Sequence, residues 1–107
     1  VSAVAGDRLS FATMFVQSND LFFAPSDAGL DLFPGGSALC GDVPGMILLW
    51  DAGTAVSERP GLGLYHAPRQ AGPDSGLDEG GTVRQVNDGF AYPNVSEVIR
   101  VTVQPVG

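Results

Sequence analysis

Hydrophobic and polar residues alternate along several short segments of the chain, which predicts β-strands. Residues 9–17 alternate Leu9, Phe11 and Phe15 with small or polar side chains such as Ser10 and Ala12. Because the second set also includes apolar residues, both faces of this segment are apolar, as is typical of a strand in the interior of a sheet. We therefore predict a central strand over residues 9–17.

Two further segments have the same two-residue period. Residues 46–50 are apolar on both faces, and residues 97–104 alternate Val98, Arg100 and Thr102 with Ile99 and Val101. The second pattern predicts a half-buried strand with one face in water. Weaker candidates for strands are residues 21–24, 30–33 and 82–86, and no helix is predicted.

Residues 56–81 differ from the rest of the chain, because glycines and prolines interrupt every periodic pattern there. The segment is predicted to be one long loop. Structureless loops of more than about 12–15 residues in a compact domain are usually functional or disordered.

Composition favours the same fold class. The 107 residues include 15 glycines and 8 prolines, which is too many for a helical bundle, while 44% hydrophobic residues is too many for a disordered chain. We predict one all-β domain over residues 1–107, an antiparallel β-sandwich. A sandwich of this size has about seven strands, so short strands are expected within the loops, or part of the domain precedes this chain.

The charge excludes one class of function. Twelve acidic and five basic residues give a formal net charge of −7, and all five basic residues are arginines scattered along the sequence. A nucleic-acid-binding surface needs clustered positive charge, so we predict no nucleic-acid partner. A single cysteine allows no disulfide within the chain, and no apolar run approaches the roughly 20 residues of a transmembrane segment.

Acidic residues follow two of the apolar segments, and they are candidate metal ligands. Asp20 ends the corner after residues 9–17, and Asp51 directly follows residues 46–50. If these strands are neighbours that end on the same side, the carboxylates converge, and hard oxygen ligands suit calcium. Glu58 is the candidate third carboxylate. In the alternative interpretation, Asp20 and Asp51 only stabilise turns through their own backbone.

The sequence predicts no enzymatic activity. His66 is the only histidine, and no serine stands between glycines at a strand-to-helix turn. Catalysis by His66 with a carboxylate of the long loop stays open as an alternative, but a lone histidine in a loop is more often simply solvated or hydrogen bonded.

Residues 9–20 together with residues 48–54 resemble the spondin N-terminal domain family, in its bacterial branch. The resemblance continues through residues 69–70, 86–90, 92–93 and 99–102, and so extends over nearly the whole chain. It implies a secreted or cell-surface β-sandwich that binds calcium at one end and has an adhesive or structural role, with a protein or matrix partner.

The resemblance also implies individual ligands. Asp20 and Asp51 match the calcium-binding aspartates of the family, and Asn19 is a supplementary ligand. Animal members have another aspartate where this chain has Ala55, and Glu58 is the expected substitute.

The resemblance further implies that the domain begins before Val1, so that one or more first strands come from outside this chain. Unpaired strand edges accept strands from other chains. The alternative function is therefore a self-assembling subunit of an extracellular polymer or matrix, completed by strand exchange through its exposed edges.

Overall fold

The computed structural model describes residues 1–106 and contains eight short strands and one helical turn. The strands are β1 (Arg8–Leu9), β2 (Thr13–Met14), β3 (Leu21–Ala24), β4 (Leu30–Asp31), β5 (Gly41–Asp42), β6 (Leu48–Asp51), β7 (Arg84–Gln85) and β8 (Thr102–Val103). The helical turn is α1 (Val95–Val98), and 3₁₀ turns lie at Pro34–Gly36 and Pro44–Met46.

All strand pairs are antiparallel. The largest sheet has four strands in the order β2-β3-β6-β7, and two smaller sheets pair β1 with β4 and β5 with β8. This confirms the predicted all-β antiparallel class. The sandwich arrangement of the sheets stays a prediction.

The four-stranded sheet forms around the pairing of β3 with β6, and the sequence of β3 suits a strand that is buried on one face. Along β3, Leu21 and Phe23 are buried while Phe22 and Ala24 are only partly buried. Phe23 belongs to a core cluster, and partly buried residues from several elements pack against that cluster. Its other fully buried members are Leu30, Val43 and Ile47.

The prediction of one central strand over residues 9–17 was wrong in extent and position. The segment forms two separate two-residue strands, β1 in the sheet with β4 and β2 at the edge of the four-stranded sheet. The chain therefore passes from one sheet to another within this segment. Leu9, Phe11 and Phe15, on one face of the predicted pattern, pack against the core, whereas Met14 and Val16, on the other face, are exposed.

The prediction of a strand over residues 97–104 was also wrong in extent. The Ile99 backbone N–H donates to the Val95 carbonyl oxygen at 2.9 Å and closes a helical turn. Val95 and Ile99 are four residues apart, so the turn directs both toward the core, against which both pack. Only Thr102 and Val103 pair as a strand, with β5.

The predicted loop over residues 56–81 is confirmed. Between β6 and β7 the described chain forms turns and one isolated antiparallel bridge, from Ala55 to Asp78. Hydrogen bonds from the Val56 and Glu79 backbone N–H groups to the Leu77 and Thr54 carbonyl oxygens close the loop at its base. Among residues 1–106, no helix has the length and apolar character needed to cross a membrane.

Candidate metal site

Three carboxylates converge where β3 begins and β6 ends. Asp20, Asp51 and Glu79 each offer one oxygen, and these oxygens all lie within 4.8 Å of one another. The sheet register explains the first two. Leu21 pairs with Asp51 across β3 and β6, so Asp20, one residue before Leu21, lies beside the end of β6. Glu79 comes from the base of the long loop, where its backbone N–H binds the Thr54 carbonyl oxygen at 3.0 Å.

Asp51 is fully buried, and both of its oxygens have partners. Oδ1 accepts a hydrogen bond from the Gly53 backbone N–H at 2.7 Å, and Oδ2 accepts one from the Arg84 guanidinium at 3.1 Å. Burial raises the pKa of Asp51, the hydrogen bond from Gly53 opposes that rise, and the nearby charge of Asp20 adds to it. The negative charge at Asp51 is therefore incompletely compensated.

The two oxygens of Asp20 have different environments. Oδ2 accepts three hydrogen bonds, from the Thr54 backbone N–H at 2.8 Å, the Thr54 hydroxyl at 3.0 Å and the Ala55 backbone N–H at 2.9 Å. Oδ1 is buried and has no hydrogen-bond partner among residues 1–106. A buried carboxylate oxygen without a partner is costly, and it is the group that a cation would satisfy.

The structure brings Asp20 and Asp51 together, but through β3, which begins directly after Asp20, and not through a pairing of residues 9–17 with residues 46–50. It does not bring Glu58 to them. Both Glu58 oxygens bind the loop's own backbone, Oε1 the Tyr65 N–H at 2.9 Å and Oε2 the Leu64 N–H at 3.2 Å. Glu79 takes the position of the third carboxylate.

Asn19, the predicted supplementary ligand, donates from its amide nitrogen to the Val56 carbonyl oxygen at 2.9 Å. Its Oδ1 is buried and has no hydrogen-bond partner in the described part of the chain. Sequence reasoning did not select Glu79. One signal was available, because Asp78 and Glu79 are the one pair of adjacent acidic residues in the sequence.

His66, the other residue considered for chemistry, is fully buried in the long loop. Its Nδ1 lies 3.5 Å from an Arg69 guanidinium nitrogen, and its Nε2 has no hydrogen-bond partner within residues 1–106. A guanidinium has only donors, so this contact favours an unprotonated Nδ1. Burial lowers the pKa of His66, the charge of Glu58 opposes this, and the charge of Arg69 adds to it.

The buried histidine predicts a pH dependence of stability. Because the pKa of His66 is lower in the folded than in the unfolded state, the unfolded chain takes up the proton first as pH falls below about 6.5. The stabilising contribution is therefore present above about pH 6.5 and is lost as pH falls toward the folded-state pKa. Thermal unfolding between pH 7 and pH 5 should show a steeper fall in Tm for wild type than for His66→Gln. Equal slopes would contradict this assignment.

Comparisons of this chain with protein-family models, with curated proteins and with solved structures found no match in any of the three. The geometry of the acidic group and the sequence pattern are therefore the basis for assigning a function.

Proposed function

We propose that this chain is an extracellular calcium-binding module with an adhesive or structural role toward a protein or matrix partner. One observation carries the proposal: oxygens of Asp20, Asp51 and Glu79 lie within 4.8 Å of one another, and the buried Asp20 Oδ1 has no hydrogen-bond partner in residues 1–106. The resemblance of residues 9–20 and 48–54 to the spondin N-terminal domain family supports the extracellular and adhesive parts of the proposal.

The donor set fits calcium. All three side chains offer hard carboxylate oxygens, and three carboxylates with one guanidinium, that of Arg84, leave a formal charge of −2 in the group. A divalent cation neutralises that charge. Calcium tolerates irregular geometry and six to eight oxygen ligands, whereas magnesium demands a near-ideal octahedron. Ligands that come from two strand ends and a loop favour the less demanding ion.

A bound cation would neutralise the negative charge of the three carboxylates between the sheet end and the long loop. The positions of the three residues determine what this neutralisation achieves, because Asp20 directly precedes β3, Asp51 ends β6 and Glu79 belongs to the base of the long loop. Holding all three fixes the loop against the end of the sheet. A rigid loop at a sheet end is a suitable surface for a partner, since its ordering cost is met before the partner binds.

The proposal predicts that calcium stabilises the fold. At free calcium a hundredfold above Kd, mass action adds about 2.7 kcal/mol to the free energy of unfolding, which for a domain of this size raises Tm by about 10 °C or more. Differential scanning calorimetry in calcium and in chelator measures this rise. Asp51→Asn should lose most of it, because the substitution removes a buried anionic ligand but keeps an oxygen for the Gly53 N–H.

Two matched variants identify the third carboxylate. Glu79→Gln should weaken calcium binding in isothermal titration calorimetry by at least about tenfold, while Glu58→Gln should leave it unchanged, since Glu58 binds the backbone of residues 64 and 65. Asp27→Asn, in an exposed turn, controls for the loss of one negative charge. If wild type shows equal Tm in calcium and in chelator, the calcium function is refuted.

A further inference from the structure

The acidic group already contains a cation of its own, the guanidinium of Arg84. One guanidinium nitrogen lies 3.1 Å from Asp51 Oδ2 and also contacts the Glu79 carboxylate. Arg84 lies directly opposite Asp51 in the register of β6 and β7. The strand pairing therefore places the guanidinium beside the Asp51 carboxylate. A second guanidinium nitrogen donates to the Thr82 carbonyl oxygen at 3.2 Å.

Arg84 uses the oxygens that a metal ion would need. Asp51 Oδ1 is engaged by the Gly53 N–H, which leaves Oδ2 as the oxygen of that residue open to a cation, and Oδ2 is the atom that Arg84 contacts. Asp20 differs, because its Oδ1 accepts no hydrogen bond from the guanidinium or from any other donor of residues 1–106. Arg84 therefore contacts two carboxylates of the group and leaves Asp20 Oδ1 without a hydrogen-bond partner.

The Arg84 side chain is exposed enough to move from the carboxylates into solvent. The side chain is 39% exposed, whereas that of Asp51 is 1% exposed. A long, partly solvated arginine can rotate into water, and the cost of leaving the buried Asp51 carboxylate without its guanidinium is offset by the ion that takes the guanidinium's place. The buried carboxylate cannot move in the same way.

We infer that Arg84 is an internal competitor of the metal ion: its guanidinium holds Asp51 and Glu79 together without metal, and calcium binds by displacing it toward solvent. This inference rests on the proposed calcium function and names the residue that regulates the same site. Arg84 thus lowers the affinity for calcium and prevents the carboxylates from repelling one another when calcium is absent.

The test compares calcium affinities of the wild type, Arg84→Gln and Arg100→Gln by isothermal titration calorimetry. Arg84→Gln removes the competing charge and keeps a hydrogen-bonding side chain, so we expect calcium affinity to rise by at least about tenfold. Without calcium, the same variant should unfold at a lower temperature than wild type. Arg100→Gln changes the net charge equally, but its 80% exposed side chain pairs with Asp42 instead, and we expect less than a twofold change.

The outcomes separate this inference from the proposed function. Calcium binding by wild type with equal or weaker binding by Arg84→Gln overturns the competition and leaves the calcium function standing. Tighter binding by Arg84→Gln than by wild type supports the competition, whereas binding by Arg84→Gln alone refutes both the calcium function of the wild type and the displacement. Absence of binding in wild type and in both variants refutes the calcium function and the competition together.

A measurement on the wild type tests the displacement of Arg84 even if the Arg84→Gln variant does not fold. In ¹⁵N-detected NMR, the Arg84 guanidinium signals should move toward the values of a solvent-exposed arginine as calcium is added, with Arg100 as the internal reference. Calcium binding that leaves the Arg84 signals unchanged overturns the displacement.

Discussion

Replacing Gly53 with alanine should lower the free energy of unfolding by about 3 kcal/mol, in a range of about 2–5. Gly53 has φ +74°, where a side chain costs roughly 1–2 kcal/mol. A Cβ would also lie 2.6 Å from the Thr82 carbonyl oxygen and 2.7 Å from its nitrogen. Those backbone atoms cannot easily move away from residue 53, because the hydrogen bond from the Gly81 N–H to the Gly53 carbonyl oxygen, at 2.8 Å, holds the two segments together. Urea unfolding followed by the fluorescence of Trp50 measures the loss.

Gly80→Ala is the matched control for this prediction. Gly80 has a similar φ of +68°, but apart from Gly80 and its two chain neighbours no residue of 1–106 has a heavy atom within 4 Å of where its Cβ would be. The control therefore has the backbone strain without the close contact, and it should cost about 1–2 kcal/mol. Equal losses for the two variants would show that the segment after β6 does not pack against the residues before β7 as described.

The second large effect is expected at Phe23, where truncation to alanine should cost about 3–5 kcal/mol. Phe23 is 4% exposed and lies in the core cluster with Leu30, Val43 and Ile47. Its ring also meets that of Phe15 edge to face, with centroids 5.5 Å apart. Truncation leaves a cavity that these side chains cannot close, because they are fixed on three segments: Phe15 after β2, Leu30 in β4, and Val43 and Ile47 on either side of one 3₁₀ turn. Urea unfolding at constant pH gives the value.

Phe22→Ala tests whether the face of β3 sets the cost. Phe22 is the adjacent residue, points to the opposite face and is only partly buried. It pairs with Trp50 across β3 and β6, and its truncation should cost about 1–2 kcal/mol, in proportion to the apolar area it buries. A cost equal to that of Phe23→Ala would mean that the core is not on the side of the sheet described above.

The sequence was sufficient for the fold class and for two of the site residues. Glycine and proline content with short alternating segments predicted antiparallel strands, and the polar residues that end apolar segments predicted that Asp20 and Asp51 converge. The first prediction depends on local chemistry, because side-chain alternation is a property of the segment itself, whereas Asp20 and Asp51 meet through the long-range pairing of β3 with β6.

Glu79 could not be predicted from the same reasoning, because tertiary contacts place it. The long loop returns to the sheet through backbone hydrogen bonds that no periodicity marks, including Glu79 N–H to the Thr54 carbonyl oxygen and Gly81 N–H to that of Gly53. Glu58 is closer in sequence to Asp51, but the backbone N–H groups of Leu64 and Tyr65 bind both of its oxygens.

Strand lengths were the weakest part of the sequence-based prediction. Residues 9–17 have the pattern of one strand, yet their first and last parts pair with different sheets. Residues 97–104 alternate as a strand, yet Val95 and Ile99 also satisfy the four-residue spacing of a helical turn. A two-residue period and a four-residue spacing are compatible over so short a segment, and contact with the core decides between them.

The pairing of Asp51 with Arg84 also determines how accurately the sheet assembles. The strand β7 has only two residues, so few ladder hydrogen bonds hold it in place. A slip by one residue would turn Arg84 to the opposite face and leave the buried Asp51 carboxylate without its guanidinium, at considerable cost. The Asp51–Arg84 ion pair therefore favours the native register of a very short strand over a register shifted by one residue.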